Sequence, residues 1–200
     1  VDAIPYLNRT AFTLFIDTNI IGSDDQSVLA LRRLREEGWI NLQRTDTMDT
    51  EFLTAPPELW VNLTEESSRY PETFGPLILD HSRLGSSILG DDEDEARLHS
   101  VFAILYPGAE WGEARKNHVR DAMHVATSIR YGGDGFVTYD KRMLNKYNEI
   151  AAQFGGFRIL SPAQAVEEAL GRVASLRELH RREPHRGELP EWPQTTRLGT

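Results

Sequence analysis

Residues 120–140 read RDAMHVATSIRYGGDGFVTYD, and few folds accommodate such a stretch. Ala122, Val125, Ala126 and Ile129 recur at helical spacing and give one apolar face. Residues 131–135, with three glycines and an aspartate, form a turn. The apolar run 136–139 then reads as a short strand that stops on Asp140. A helix delivered through a tight turn into a buried strand is half of a βαβ unit, and such units build parallel sheets. Parallel strands bring their C-terminal ends to one edge, where ligands sit. Asp140 therefore falls on that edge, and Asp121 lies on the helix feeding it.

The rest of the chain repeats the alternation. Residues 12–16, 39–45, 77–79 and 157–160 read as further strands. Helical patterns cover 27–37, a segment beginning near Asp46, 96–105 and a segment from Pro162 that carries Ala165, Val166, Ala169, Leu170 and Val173. The expected fold is α/β: three layers, with a central parallel sheet of four to five strands covered by helices on both faces. Residues 10–175 form this domain. Residues 55–76, with Pro56, Pro57, Pro71 and Pro76, read as an insertion or flap, partly helical at best, and 176–200 as a polar, mobile C-terminal tail.

Several acids compete for the functional edge. Asp17 follows the first strand at once, in the run Asp17-Thr18-Asn19. Asp80 follows the 77–79 run and is a rival. Glu51 lies early in the helix after the second strand, close to Asp46 and Asp49, which suit helix capping. The five consecutive acids at 91–95 are the most conspicuous cluster, but they precede an apolar helical pattern and read as dipole-favoured first-turn residues. Asp24 and Asp25 read as caps. His124, three residues after Asp121, reads as a packed helix residue.

The formal net charge of −9 argues against non-specific coating of nucleic acid or anionic membrane. It does not exclude a nucleic-acid enzyme that gathers acids around a metal and keeps a few cations for phosphate. Lys141 and Arg142, then Arg83, Arg115 and Arg120, are the candidates near the edge. No apolar run reaches the ~18 residues of a membrane span, and the first ten residues lack the build of a signal peptide. The absence of cysteine rules out disulfides and thiolate metal sites and suits a cytoplasmic location.

Four segments in order, FIDTNI at 15–20, TDTMDTEFL at 45–53, RDAMHVATS at 120–128 and FVTYD at 136–140, resemble the PIN domain, over about residues 10–170. The resemblance implies a catalytic quartet of Asp17, Glu51, Asp121 and Asp140, supported by Asn19 and Thr138, with Asp46 and Asp49 as alternatives to Glu51. It implies Mg²⁺ or Mn²⁺ held by Asp17, Asp140 and Asp121, with Glu51 orienting the attacking water. PIN domains are typically metal-dependent nucleases, many of them ribonucleases acting as toxins of toxin–antitoxin pairs. The expected activity is thus hydrolysis of RNA phosphodiester bonds. The implied partners are an RNA substrate, an antitoxin protein and a second copy in a homodimer, with no membrane. The chain is longer than the compact toxins. The alternatives are a non-catalytic PIN-like scaffold that binds RNA or protein, and an aspartyl-phosphate phosphohydrolase. The latter is disfavoured because Asn19 stands where its chemistry wants a second aspartate.

Overall fold

The computed structural model describes residues 9–53, 56–82, 85 and 87–184. Their elements run in the order β1 Thr13–Ile16, α1 Gln26–Glu36, β2 Asn41–Thr45, α2 Thr47–Phe52, α3 Pro57–Ser68, β3 Glu72–Thr73, α4 Asp92–Leu105, α5 Lys116–Arg130, β4 Gly135–Val137, α6 Lys141–Leu144, α7 Tyr147–Gln153, β5 Arg158–Leu160 and α8 Pro162–Arg182. The five strands form one sheet in the order β3-β2-β1-β4-β5, and every pair is parallel. The expected α/β class, with three layers and a parallel sheet, holds.

Strand alternation explains the layers. Successive side chains of β1 point to opposite faces, so Leu14 and Ile16 join one core with Trp39, Leu42, Leu31, Leu34, Ala165 and Ala169. Phe15 joins the other, with Phe136, Ile159, Val101, Val119 and Val125. The first core lies under α1 and α8, the second under α4 and α5. Gly135 is required where β4 meets β5, since a Cβ there would lie 2.7 Å from the Arg158 carbonyl oxygen.

The strand order places a topological switch between β1 and β4: from β1 the chain builds first toward β2 and β3, then returns to add β4 and β5. Ile16 is level with Val137 in the register, and the Asp17 amide donates to the Val137 carbonyl at 2.9 Å. The two strands therefore end together, and the residues just past each end share one rim.

Three expectations are corrected. Residues 77–79 are not a strand. Pro76 bridges Ile88, Leu79 is 80% exposed, and Asp80 sits in a turn with φ of 65°, a conformation aspartate tolerates better than most residues. Asp80 is thus no strand-end acid. The third strand is instead β3, inside the stretch read as a flap, which also carries the full helix α3. The polar composition from 176 onward does not stop α8, which continues to Arg182 with Glu178 pairing Arg181 and Arg182. The remainder of the expected tail, 185–200, lies outside the described residues. The acids at 91–95 do start a helix: Asp91 and Asp94 form a reciprocal capping box on α4. Among the described residues no helix is long and apolar enough to cross a membrane.

Candidate metal centre

Asp17 is 9% exposed and opens a 3₁₀ turn, Thr18–Ile20. Its Oδ1 accepts the Thr18 amide at 2.7 Å, and its Oδ2 accepts Asn19 Nδ2 at 2.7 Å and the Thr138 hydroxyl at 2.5 Å. All three donors are neutral. Burial pushes the Asp17 carboxyl up to about 6; His124 and Thr138 pull it down, while Glu51 and Asp121 push it further up.

Asn19 ties the two strand ends together. Besides reaching Asp17, its Nδ2 lies 3.2 Å from Thr138 Oγ1, and its Oδ1 accepts the Tyr139 amide at 3.2 Å. Thr138 is wholly buried and also receives the Asp140 amide at 2.9 Å. Asn19 and Thr138, which the resemblance implies as supports, thus both hydrogen-bond to Asp17 Oδ2.

Glu51 comes from α2 and accepts the Thr18 hydroxyl through Oε2. The same oxygen lies 3.3 Å from His124 Nε2, off the line of a hydrogen bond, so this nitrogen has no aligned hydrogen-bond partner. Burial would raise the Glu51 carboxyl, but His124, Thr18 and Arg120 outweigh it and hold it below the usual range. The alternatives in its segment are engaged elsewhere. Asp49 pairs with Arg44 at 2.6 Å. Asp46 caps nothing with its side chain and instead accepts the Gly75 amide and the Ser87 hydroxyl, both at 3.0 Å.

His124 is 0% exposed. Its Nδ1 meets the Thr45 hydroxyl at 2.5 Å, and its ring lies against Phe136 at 5.8 Å between centroids. Burial lowers its pKa, but Glu51, Asp17 and Asp121 together set it above the ordinary value. It is packed, as expected, yet its edge faces the acids. One ligand atom each from Asp17, Glu51 and His124 lie within 4.8 Å of one another, the only such grouping of three or more among the described residues.

Asp121 and Asp140 stand at the margin of this trio. The Tyr106 hydroxyl donates to Asp121 Oδ2, and Tyr106 stacks on His118 at 4.0 Å. Burial raises the Asp121 carboxyl against the pull of Tyr106 and His124, and Glu51 and Asp140 add to the rise. Asp140 accepts the Arg142 amide at 2.7 Å and its Nη2 at 3.0 Å. Burial alone would raise it, but Arg142 holds it below the usual range. The quartet is therefore brought to one rim as an electrostatically coupled set. The tightest group, however, is Asp17, Glu51 and His124, not Asp17, Asp121 and Asp140.

The basic candidates divide. Lys141 is exposed on α6, and the Arg142 side chain is 63% exposed while bound to Asp140. Arg115 is exposed, but Arg120 is 7% exposed, so it acts on Glu51 from within rather than presenting a surface charge. Arg83 lies outside the described residues.

Hard carboxylate oxygens crowded on a rim, with no cation hydrogen-bonded to Asp17, fit a divalent cation. Sequence reasoning missed Tyr106, Thr18 and Thr45, and ranked packing ahead of a ligand or general-base role for His124. The available signal was the spacing of Asp121 and His124, which puts both on one helical face. No protein-family model matches the chain, and no curated protein matches it.

Proposed function

We propose that the chain is a PIN-like, metal-dependent nuclease that hydrolyses RNA, with Mg²⁺ or Mn²⁺ as cofactor. The observation that carries this reading is Asp17: a buried carboxylate at the switch point, solvated only by neutral donors and crowded by two further acids. A protein with no use for a cation there would be more stable with an asparagine. The sequence resemblance supports the choice of phosphodiester chemistry and of RNA.

A bound divalent ion would polarise the scissile phosphoryl group and lower the pKa of a bound water. The chain supplies the scaffold for that chemistry. Asp17, fixed by Thr18, Asn19 and Thr138, offers a preorganised ligand. Glu51 stays ionised over a wide pH range because His124 and Thr18 hold it so, which suits it to bind the ion or to orient a water on it. Asp121, aimed by Tyr106, extends the negative rim toward Asp140. Arg142 can exchange its contact with Asp140 for a substrate phosphate, which it can also bind bidentately.

Cleavage of a single-stranded RNA in Mn²⁺ tests the proposal. Asp17→Asn and Asp140→Asn are expected to lose about 10³-fold in rate, the size of several kcal/mol of lost charge stabilisation. Cleavage at the parent rate by both variants would overturn it. One observation favours the scaffold alternative: Arg142 already neutralises Asp140. On that reading, calorimetric titration finds no Mn²⁺ binding that depends on Asp17.

A further inference from the structure

The resemblance provides for an all-oxygen metal site, yet the group most completely enclosed with the acids is an imidazole. We propose that His124 Nε2 is itself a metal ligand, and that with Asp17 and Glu51 it makes a mixed nitrogen–oxygen site selecting a first-row transition ion such as Mn²⁺ over Mg²⁺. This deepens the metal-binding part of the proposed function and does not depend on cleavage.

Three observations lead there. The ligand atoms lie within 4.8 Å of one another, and Glu51 Oε2 and His124 Nε2 are 3.3 Å apart without hydrogen-bond alignment. Two donors bound to one ion at about 2.1 Å and roughly a right angle stand about 3 Å apart, so the pair needs almost no adjustment. Second, the other ring nitrogen is already held. Thr45 Oγ1 at 2.5 Å can accept a proton on Nδ1, which leaves the Nε2 lone pair directed at the acids. Metal-bound histidines are characteristically fixed through their second nitrogen in this way. Third, Phe136 beside the ring and complete burial deny Nε2 an alternative partner such as bulk water.

Ligand chemistry then sets the selectivity. Mg²⁺ takes oxygen ligands and parts with water reluctantly. Imidazole suits iron, nickel, copper and zinc, which bind such sites more tightly than Mn²⁺, the weakest of the divalent first-row series and the one that serves as a paramagnetic probe. The rival for Nε2 is a proton, which would make His124 a fixed counter-ion to Glu51.

Pulsed EPR of the Mn²⁺-loaded protein separates these cases without a mutation. With ¹⁵N-histidine labelling, a nitrogen hyperfine coupling on Mn²⁺ is expected. In His124→Gln the coupling vanishes, and calorimetric Mn²⁺ affinity falls more than about 10-fold while Mg²⁺ affinity barely changes. Thr45→Val, which keeps the imidazole but removes its Nδ1 partner, lowers Mn²⁺ affinity by about 10-fold and checks the proposal should the buried histidine variant fold poorly. Mn²⁺ binding that depends on Asp17 but shows no nitrogen coupling overturns the His124 assignment and leaves the nuclease reading intact. Absence of any Asp17-dependent Mn²⁺ binding overturns both.

Discussion

Asp17 and Asp94 are both buried aspartates at the start of helical turns, and their surroundings are opposite. Asp94 is 3% exposed. It accepts Arg97 at 2.6 Å and Arg130 at 2.7 Å on Oδ1, and the Asp91 amide at 3.3 Å on Oδ2. Burial would raise its carboxyl, but the two arginines and the cap amide hold it below the usual range. Asp17 accepts as many hydrogen bonds without a cation bonded to it, and stands at about 6. Hydrogen bonds from neutral donors offset part of a carboxylate's removal from water, and bonded cations offset more of it. The difference separates an acid whose charge the fold itself neutralises from one to which no cation is hydrogen-bonded.

The contrast breaks if the two sites respond alike to substitution. Asp94→Ala is expected to have the largest effect, a loss of about 2–3 kcal/mol. That is below the range for a fully buried ion pair, because the Arg130 side chain stays 28% exposed. The melting temperature should fall by on the order of 5–10 °C, measured by calorimetry without metal. Next, Mn²⁺ at about 100 times its Kd should stabilise the parent by about 2.7 kcal/mol and leave Asp17→Asn unmoved. A metal-induced shift of equal size in that variant would place the cation elsewhere.

Metal-free Asp17→Asn should then gain stability above neutral pH. At pH below 3.8, Asp17 is protonated in both states and carries no penalty. From there to about 6 the unfolded chain ionises while folded Asp17 keeps its proton, and stability is lost as pH rises. The full penalty, about 3 kcal/mol at 1.36 kcal/mol per pH unit, is present above that window. Asparagine removes it but gives up part of the hydrogen bonding, so the net gain should be on the order of 1–2 kcal/mol at pH 8. The gain should disappear at pH 4. A loss of stability at pH 8 would make Asp17 structural. The smallest effect belongs to Glu93, whose side chain is 82% exposed beside Arg97; Glu93→Gln should cost about 0.5 kcal/mol or less.

Legibility in the sequence divides along the same line. Asp17 and Asp140 were readable because each follows an apolar run set in a strand–helix alternation, whereas the run 77–79 before Asp80 has the composition alone. The acids at 91–95 were readable as a helix start for a like reason, the apolar pattern behind them. His124 was not, since periodicity says which helical face a residue occupies but not which ring edge meets a carboxylate from α2. Asp46 and Asp49 stayed open beside Glu51 because the segment does not show its contacts: Arg44, which joins Asp49 and Glu72, Gly75 and Ser87 on Asp46, and Thr18 on Glu51. The third strand was misplaced because residues 77–79 have the apolar composition of a strand, while β3 is Glu72–Thr73, a two-residue edge with no hydrophobic pattern. The helical end of α8 was missed because polarity reports exposure and not backbone conformation.

The bridge made by Asn19 has a consequence for kinetics. One amide side chain joins Asp17, Thr138 and the Tyr139 amide, so the ends of β1 and β4 are fastened across the switch point by the protein alone. An arriving ion need not draw these strands together, and the ordering entropy of their ends has already been met during folding. Ion entry should therefore be a single fast phase governed by dehydration of the metal. In Asn19→Ala the rim would have to close at each binding event, and a slower, metal-independent phase should emerge.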